Sequence, residues 1–183
     1  MLNYGDAVVY KCRGVYKVAE IGTLDFSFAD RKKKYYTLQS IEDSKDKAYV
    51  PMDDETNIRR PVSREEALDL IGRLEEIETL GIKNEKCREQ EYKNYISGYR
   101  PENWVRVLKT LYKRTKMRGS ITSMDKKYQV LLEHALYSEF AFSLGIPRDE
   151  IPPVSYTHLD VYKRQTSMSS YLCWDPSGQV LLG

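Results

Sequence analysis

Few side chains in this sequence are arranged for catalysis. Before residue 154 there is one histidine, His134, and it falls inside a predicted helix, where a surface or core-edge role is more common than a general base. The acidic runs at 53–55 and 75–78 lack a neighbour that would shift a carboxyl pKa, so they fit a linker and a solvated helix end. The sequence also contains no glycine-rich phosphate loop, nucleophile elbow or metal-spaced Cys/His cluster. We therefore expect a protein that is not an enzyme and that needs no cofactor or metal.

The residues with a chemically useful spacing are basic. Residues 101–119 hold six basic side chains and one acidic one, whereas the whole chain has 29 Lys plus Arg against 27 Asp plus Glu. Arg106, Lys109, Lys113 and Lys116 recur at intervals of three, four and three, which places them on one face of a helix. Such a row can neutralise the phosphates of a nucleic acid, and the alternative is a solvated charged face. Four more basic residues extend the row across the next turn: Arg114, Arg118, Lys126 and Lys127.

The composition limits the kind of protein that carries this row. With 183 residues, 41% of them hydrophobic and 11% aromatic, the chain can bury one or two small cores. No apolar run approaches the roughly 18 residues of a membrane span, and the N-terminus lacks a signal-peptide pattern, so we expect a cytoplasmic protein. The cysteines Cys12, Cys87 and Cys173 are too widely spaced for a disulfide framework or a zinc site.

Two periodicities divide the chain and predict an α+β fold. Before Pro61, short β-branched and aromatic runs separated by turn residues predict a strongly bent antiparallel sheet or barrel with strands at 7–10, 15–21, 34–41 and 47–50. After Pro61 a helical period predicts helices at about 63–79, 83–97, 101–119 and 122–144, with a short turn after Pro147. We expect two domains with separate cores, residues 1–61 and 62–153. Trp104 is expected in the helical core rather than against a base.

The segment from Val154 to Gly183 differs in kind from the rest. Its first part, VSYTHLDVYKRQ, back-translates to a DNA inverted repeat that resembles two transposon mosaic ends joined back to back, as in sequencing adaptors. We therefore expect an artefactual tail, with the native C-terminus missing beyond Pro153, and we exclude His158, Cys173 and Trp174 as site residues.

Seven segments together carry a resemblance to a known family. In chain order they are GDAVVY (5–10), RGVYKVAEI (13–21), YYTL (35–38), VPMDD (50–54), IRRPVSREEA (58–67), LKTLYKRTK (108–116) and FAFSLGIPRDEI (140–151). Over about residues 1–152 the chain resembles the CarD/CdnL family of bacterial transcription regulators. The resemblance implies an N-terminal Tudor-like domain that docks on the RNA polymerase β subunit and a C-terminal helical domain that contacts promoter DNA near the upstream edge of the transcription bubble.

The resemblance also suggests which residues dock on polymerase. The family's strand that ends in VxVP corresponds to residues 47–51, and the end of its second strand corresponds to about 21–24. The docking residues implied in this way are Ile21, Thr23, Leu24, Lys47, Tyr49, Val50 and Pro51. The family's minor-groove tryptophan has no counterpart between Leu80 and Arg88, so that role is not carried over to Trp104.

From these observations we expect a monomeric, non-enzymatic, nucleoid-associated transcription regulator. It would bridge the polymerase β subunit and promoter DNA, through residues 1–61 and 62–153 respectively, and would modulate the stability of the open complex. No membrane interaction is expected. The alternative is a nucleic-acid-binding protein that acts without a polymerase partner.

Overall fold

The computed structural model describes residues 1–26, 29–82 and 84–151. The segment from Val154 onward, for which we expect an artefactual tail, lies outside these residues. Five strands precede four α-helices, which confirms the α+β class. The elements are β1 (Ala7–Tyr10), β2 (Val15–Gly22), β3 (Tyr35–Ser40), β4 (Lys47–Pro51), β5 (Ile58–Arg59), α1 (Arg64–Gly72), α2 (Arg88–Ile96), α3 (Pro101–Arg118) and α4 (Ser123–Leu144).

The strands form one antiparallel sheet in the order β4-β3-β2-β1-β5. The four strands predicted from the sequence are present, and β5 is a fifth that the pattern did not reveal. It consists of two residues, Ile58 and Arg59, which pair with Tyr10 and Val9 of β1. A β-bulge between Val18 and Glu20 shifts the register of β2 against β3 and adds local twist.

The sheet buries residues on both of its faces. Because side chains alternate along a strand, Val8 and Tyr16 join one cluster and Val9 and Val15 join another. The first cluster belongs to the sheet alone and includes Tyr36 and other strand residues. The second is continuous with the helical core around Trp104. The expectation of fully separate cores is therefore wrong, and the division at residue 61 stays a prediction, since one hydrophobic cluster crosses it.

The helix ends follow local sequence signals. A capping box starts α1, in which the Glu66 N–H donates to Ser63 Oγ (3.1 Å) and the Ser63 N–H donates to the Glu66 carboxylate (2.7 Å). Thr122 caps α4 by accepting from the Asp125 N–H at 3.1 Å. Gly119 and Gly145 end α3 and α4 with φ of 73° and 69°, a conformation that favours glycine.

Polar contacts fasten the sheet to α4. The Glu139 carboxylate, with no exposed surface, accepts from Arg59 Nη1 (2.5 Å) and Nη2 (2.6 Å), and from the Val62 N–H at 3.0 Å. The Val15 N–H donates to Ser138 Oγ at 3.3 Å. Gly14 lies so close to α4 that a Cβ there would fall 2.7 Å from Ser138 Oγ, and its φ is +96°. Side chains from both parts of the chain thus fix one orientation.

Candidate functional site: a sheet edge and a basic helical tip

The first candidate surface is the outer edge of β4, the last strand on its side of the sheet. The Ser40 N–H donates to the Asp46 carbonyl at 2.9 Å, and the Met52 N–H donates to the Lys34 carbonyl at 2.9 Å. In an antiparallel ladder hydrogen-bonded pairs alternate with non-bonded ones, so the even-numbered residues of β4 bond to β3. The residues whose backbone groups point outward are then Lys47, Tyr49 and Pro51.

Side chains around this edge fall into exposed and buried sets. Lys47 is exposed and Tyr49 is half-buried, with the Phe26 ring centroid 5.3 Å from its own. Ile21 and Thr23, near the end of β2, are also exposed, and Leu24 is half-buried. Val50 instead belongs to the core of the sheet, so its side chain does not lie on the surface. The structure thus places most of the implied docking residues at the surface, in two groups: those of β4 on the outer edge, and those at the end of β2, which β3 separates from that edge.

The second candidate surface lies where α3 ends and α4 begins. Five exposed basic residues of these helices make up what we call the basic tip: Lys113, Lys116, Arg118, Lys126 and Lys127. A turn of four residues, 119–122, joins the two helices, so the last turns of α3 and the first turns of α4 share one end of the helical body. The N-terminus of α4 adds the positive end of a helix dipole to this surface.

Lys109 does not lie on this surface, and the prediction of an exposed row through it is wrong. Only 3% of Lys109 is exposed. Its Nζ donates to the carbonyls of Leu74 (2.6 Å), Glu75 (3.1 Å) and Ile77 (2.5 Å), in the segment that follows α1. Burial lowers the pKa of this amine. The contacts also explain why α1 ends at Gly72 rather than near residue 79, because these carbonyls bond to the ammonium instead of to a further helical turn.

Three of the predicted DNA-binding arginines contact carboxylates. Arg106 Nη2 donates to Glu102, one turn earlier on α3, at 2.9 Å. Arg114 donates to both carboxylate oxygens of Glu85, at 2.7 Å each, and its side chain is only 15% exposed. Arg118 reaches the same carboxylate at 3.3 Å and remains exposed. The basic row is therefore divided into a buried residue, paired residues and the exposed tip.

The second predicted helix is shorter than expected. The segment 85–87 forms a single 3₁₀ turn, for which the Asn84 side chain accepts from the Lys86 N–H at 3.0 Å, and α2 proper spans Arg88–Ile96. Lys83, the first residue of the predicted helix, lies outside the described residues. The 3₁₀ turn brings Glu85 to the arginines of α3.

Trp104 is fully buried in the helical core, as expected. The Arg59 guanidinium lies 5.4 Å from its ring centroid, and Arg59 Nε donates to the Tyr99 carbonyl at 2.5 Å. The sequence reasoning missed Arg59 and its partner Glu139. An acidic residue among the apolar residues Leu136 and Phe140 of α4 was a usable signal for a buried ion pair.

The described residues offer no arrangement for a metal ion. Among them, no cluster of three or more His, Cys, Asp or Glu side chains could hold an ion. His134 Nδ1 lies 2.9 Å from Arg148 Nη1 and 3.7 Å from the Glu42 carboxylate, and Arg148 itself forms an ion pair with Glu42, in the loop after β3, at 3.6 Å. Within the same described residues, no helix combines the length and apolar character needed to cross a membrane.

Comparison with known proteins identifies the part of the chain that carries the sheet. The family described as CarD-like/TRCF RID domain matches residues 2–62, which span all five strands. A search of curated proteins finds no match for the chain. The matched domains are non-catalytic interaction modules. Residues 2–62 of this chain are therefore similar to the CarD-like, RNA-polymerase-interacting domain of that family.

Proposed function

We propose that this protein is a non-enzymatic transcription regulator that holds the β subunit of RNA polymerase at the β4 edge and promoter DNA at the basic tip. The observation that carries the proposal is the placement of the two surfaces on one fastened body. The domain match at residues 2–62 supports polymerase as the partner of the sheet. An edge strand can pair with a strand of another protein through outward backbone groups, which here belong to Lys47, Tyr49 and Pro51.

The separation of the two surfaces supports a bridging role. Asp125, in the first turn of α4, and Glu139, which bonds to the sheet, are fourteen residues apart on one helix. At 1.5 Å per residue this is about 21 Å. The basic tip therefore lies about two nanometres from the junction with the sheet. DNA held at the tip need not compete for space with a protein strand bound at the β4 edge.

A bridge of this kind would change the stability of the open complex without chemistry. A protein shifts an equilibrium only by binding one state more tightly than the other. Because side-chain contacts fasten the sheet to α4, the tip would reach DNA phosphates only in promoter states that bring them to a fixed place relative to polymerase. States that do so would gain the phosphate contacts, and other states would not.

The polymerase contact can be tested with a matched pair of variants at one residue. Lys47→Pro removes an outward N–H but no bond to β3, and proline is tolerated on an edge strand. Lys47→Ala removes the side chain and keeps the N–H. We expect Lys47→Pro to lose capture of polymerase in a nuclease-treated pull-down and Lys47→Ala to retain it, with both folded by circular dichroism. Equal capture by the folded proline variant and the wild type would contradict edge pairing.

The DNA contact can be tested by its dependence on salt. Lys113→Gln with Lys116→Gln removes two exposed charges of the basic tip, and Lys17→Gln with Lys45→Gln removes two exposed charges from the sheet domain. Each phosphate contact adds about 0.9 to the slope of log affinity against log salt, so the tip variant should flatten the slope by up to about two units. The sheet variant should leave it unchanged. Equal slopes for both variants and the wild type would refute the assignment of the tip.

A further inference from the structure

Three arginines and two carboxylates meet where the 3₁₀ turn before α2 lies beside the end of α3 and the start of α4. The members of this group, which we call the arginine cradle, are Arg88, Arg114, Arg118, Glu85 and Asp125. They come from four elements, the 3₁₀ turn, α2, α3 and α4, so the fold and not local sequence brings them together. Arg88 and the two carboxylates are not among the DNA-binding residues expected from the sequence.

The two carboxylates have different positions in the cradle. Asp125 is 3% exposed, lies 3.3 Å from Arg88 Nε and 3.9 Å from Arg114 Nε, and accepts from Tyr92 Oη at 3.4 Å. It lies on the inner side of both guanidinium groups at ion-pair distance, without a hydrogen bond to either Nε. Glu85 is 54% exposed and binds their outer side. The cradle therefore has a buried carboxylate, Asp125, on its inner side and a solvent-exposed carboxylate, Glu85, on its outer side.

The Glu85 carboxylate is bound as a phosphate would be. Arg114 contacts both of its oxygens at 2.7 Å, a bidentate arrangement that a phosphodiester with two free oxygens also accepts. Arg88 donates to one of these oxygens as well, and Arg118 approaches it at 3.3 Å. Hydrogen bonds from these arginines, with that from Arg114 contributing most, lower the pKa of Glu85 to about 2, so the carboxylate is ionised at neutral pH.

We propose that Arg88, Arg114 and Arg118 form a binding site for a backbone phosphate of nucleic acid, and that Glu85 occupies this site as an internal competitor until nucleic acid displaces it. This inference rests on the proposed DNA-binding function and extends it. Asp125 would keep the guanidinium groups oriented during the exchange, because it contacts atoms that the phosphate would not use. Glu85 can leave because more than half of its side chain already faces solvent.

The exchange has a thermodynamic consequence that can be measured. When the wild-type protein binds a phosphate at the cradle, it must first break the contacts of Glu85, which offsets part of the gain. Glu85→Gln removes the competing charge and keeps the size of the side chain. The variant should therefore bind nucleic acid more tightly than the wild type. Because both proteins make the same phosphate contact in the complex, their slopes of log affinity against log salt should be similar, and the gain should persist from about 50 to 200 mM salt.

The experiment compares three proteins by fluorescence anisotropy with a labelled duplex of mixed sequence between 50 and 200 mM salt. Glu91→Gln is the matched control, because it removes the same charge from an exposed position of α2 outside the cradle. The double variant Glu85→Gln with Arg114→Gln tests whether the gain uses the cradle, because Arg114 belongs to the cradle and not to the basic tip. We expect tighter binding for Glu85→Gln alone, a smaller change for Glu91→Gln, and loss of the gain in the double variant. Thermal melts establish that each variant is folded.

Each other outcome overturns a distinct claim. If the wild type binds DNA and Glu85→Gln binds with the same affinity, the competitor proposal fails and the proposed DNA-binding function stands. If Glu91→Gln strengthens binding as much as Glu85→Gln, the effect is one of net charge and the cradle is not a site. If neither the wild type nor Glu85→Gln binds the duplex, both the cradle and the proposed DNA-binding function fail.

Discussion

The ion pair between Arg59 and Glu139 is a polar contact that joins β5 to the C-terminal part of α4. Glu139 has no exposed surface and Arg59 has 22% of its side chain exposed. The carboxylate accepts three hydrogen bonds, two from the guanidinium and one from the Val62 N–H. Replacing Glu139 with glutamine keeps the size of the side chain but removes its charge. The NH2 group of the glutamine amide would also face one of the hydrogen-bond donors that the carboxylate now accepts from.

The expected loss of stability follows from this geometry. Removing one partner of a buried ion pair costs about 3–5 kcal/mol, because the other charge is left without compensation. Arg59 keeps its bond to the Tyr99 carbonyl and its contact with the Trp104 ring, and it is partly solvated, so we expect the lower end, about 3 kcal/mol. For a domain of this size, that corresponds to a fall in Tm of about 6–12 °C.

Urea denaturation followed by circular dichroism measures this loss, and a double-mutant cycle assigns it. The cycle uses Glu139→Gln, Arg59→Gln and the double variant, and partners in direct contact should show a coupling energy well above the error of about 0.5 kcal/mol. Glu66→Gln is a useful control, since it weakens an exposed capping box and not the junction. A loss below about 1 kcal/mol for Glu139→Gln, or additive single variants, would refute the view that this pair fastens the sheet to α4.

Three further predictions follow from single side chains. Lys109→Met should lower the free energy of unfolding by about 2 kcal/mol, because buried carbonyls lose their donor, whereas exposed Lys113→Met should have little effect; equal urea midpoints would contradict the buried role. The Tm of the wild type should fall more steeply between pH 4.5 and 2 than the Tm of Glu85→Gln. The pKa of Glu85 is lowered from 4.5 to about 2, so its ion pairs stabilise the fold above pH 4.5, and this contribution is lost as the pH falls through 2. Parallel curves of Tm against pH would contradict this. Alkylation of the native protein should spare Cys12 and modify the exposed Cys87, because burial raises the pKa of the Cys12 thiol to about 12. Peptide mass spectrometry that found Cys12 labelled first would refute this.

The fold was largely predictable because its signals are local. Alternation over 7–10 and 15–21 predicts strands, and the Ser63–Glu66 capping box predicts the start of α1. The strand β5 was not predictable, since two residues carry no period. The length of α1 was wrong because Leu74 and Ile77 continue the helical spacing and are buried, while their carbonyls bond to Lys109. Spacing along the chain says nothing about what a distant side chain will bond.

The candidate surfaces were less predictable for the same reason. A helical row predicts which side chains share a face, but not what covers that face, and the segment after α1 covers Lys109. Arg114 and Arg118 both contact the carboxylate of Glu85, which lies twenty-nine and thirty-three residues before them in the sequence. No count of charges within residues 101–119 could reveal them. For the implied docking residues of β4, the strand position fixes which backbone groups point out of the sheet, and their binding to polymerase stays a prediction.

The helix α4 carries one buried acid towards each of its ends, and both acids are paired with arginines from other elements. Asp125 contacts arginines of α2 and α3, and Glu139 contacts Arg59 of β5. Since both acids belong to one continuous helix, the basic tip and the sheet cannot reorient independently without breaking one of these contacts. Loosening the Glu139 junction would therefore leave the β4 edge and the tip intact as separate binding surfaces. It would remove the fixed distance between them, on which any preference for one promoter state depends.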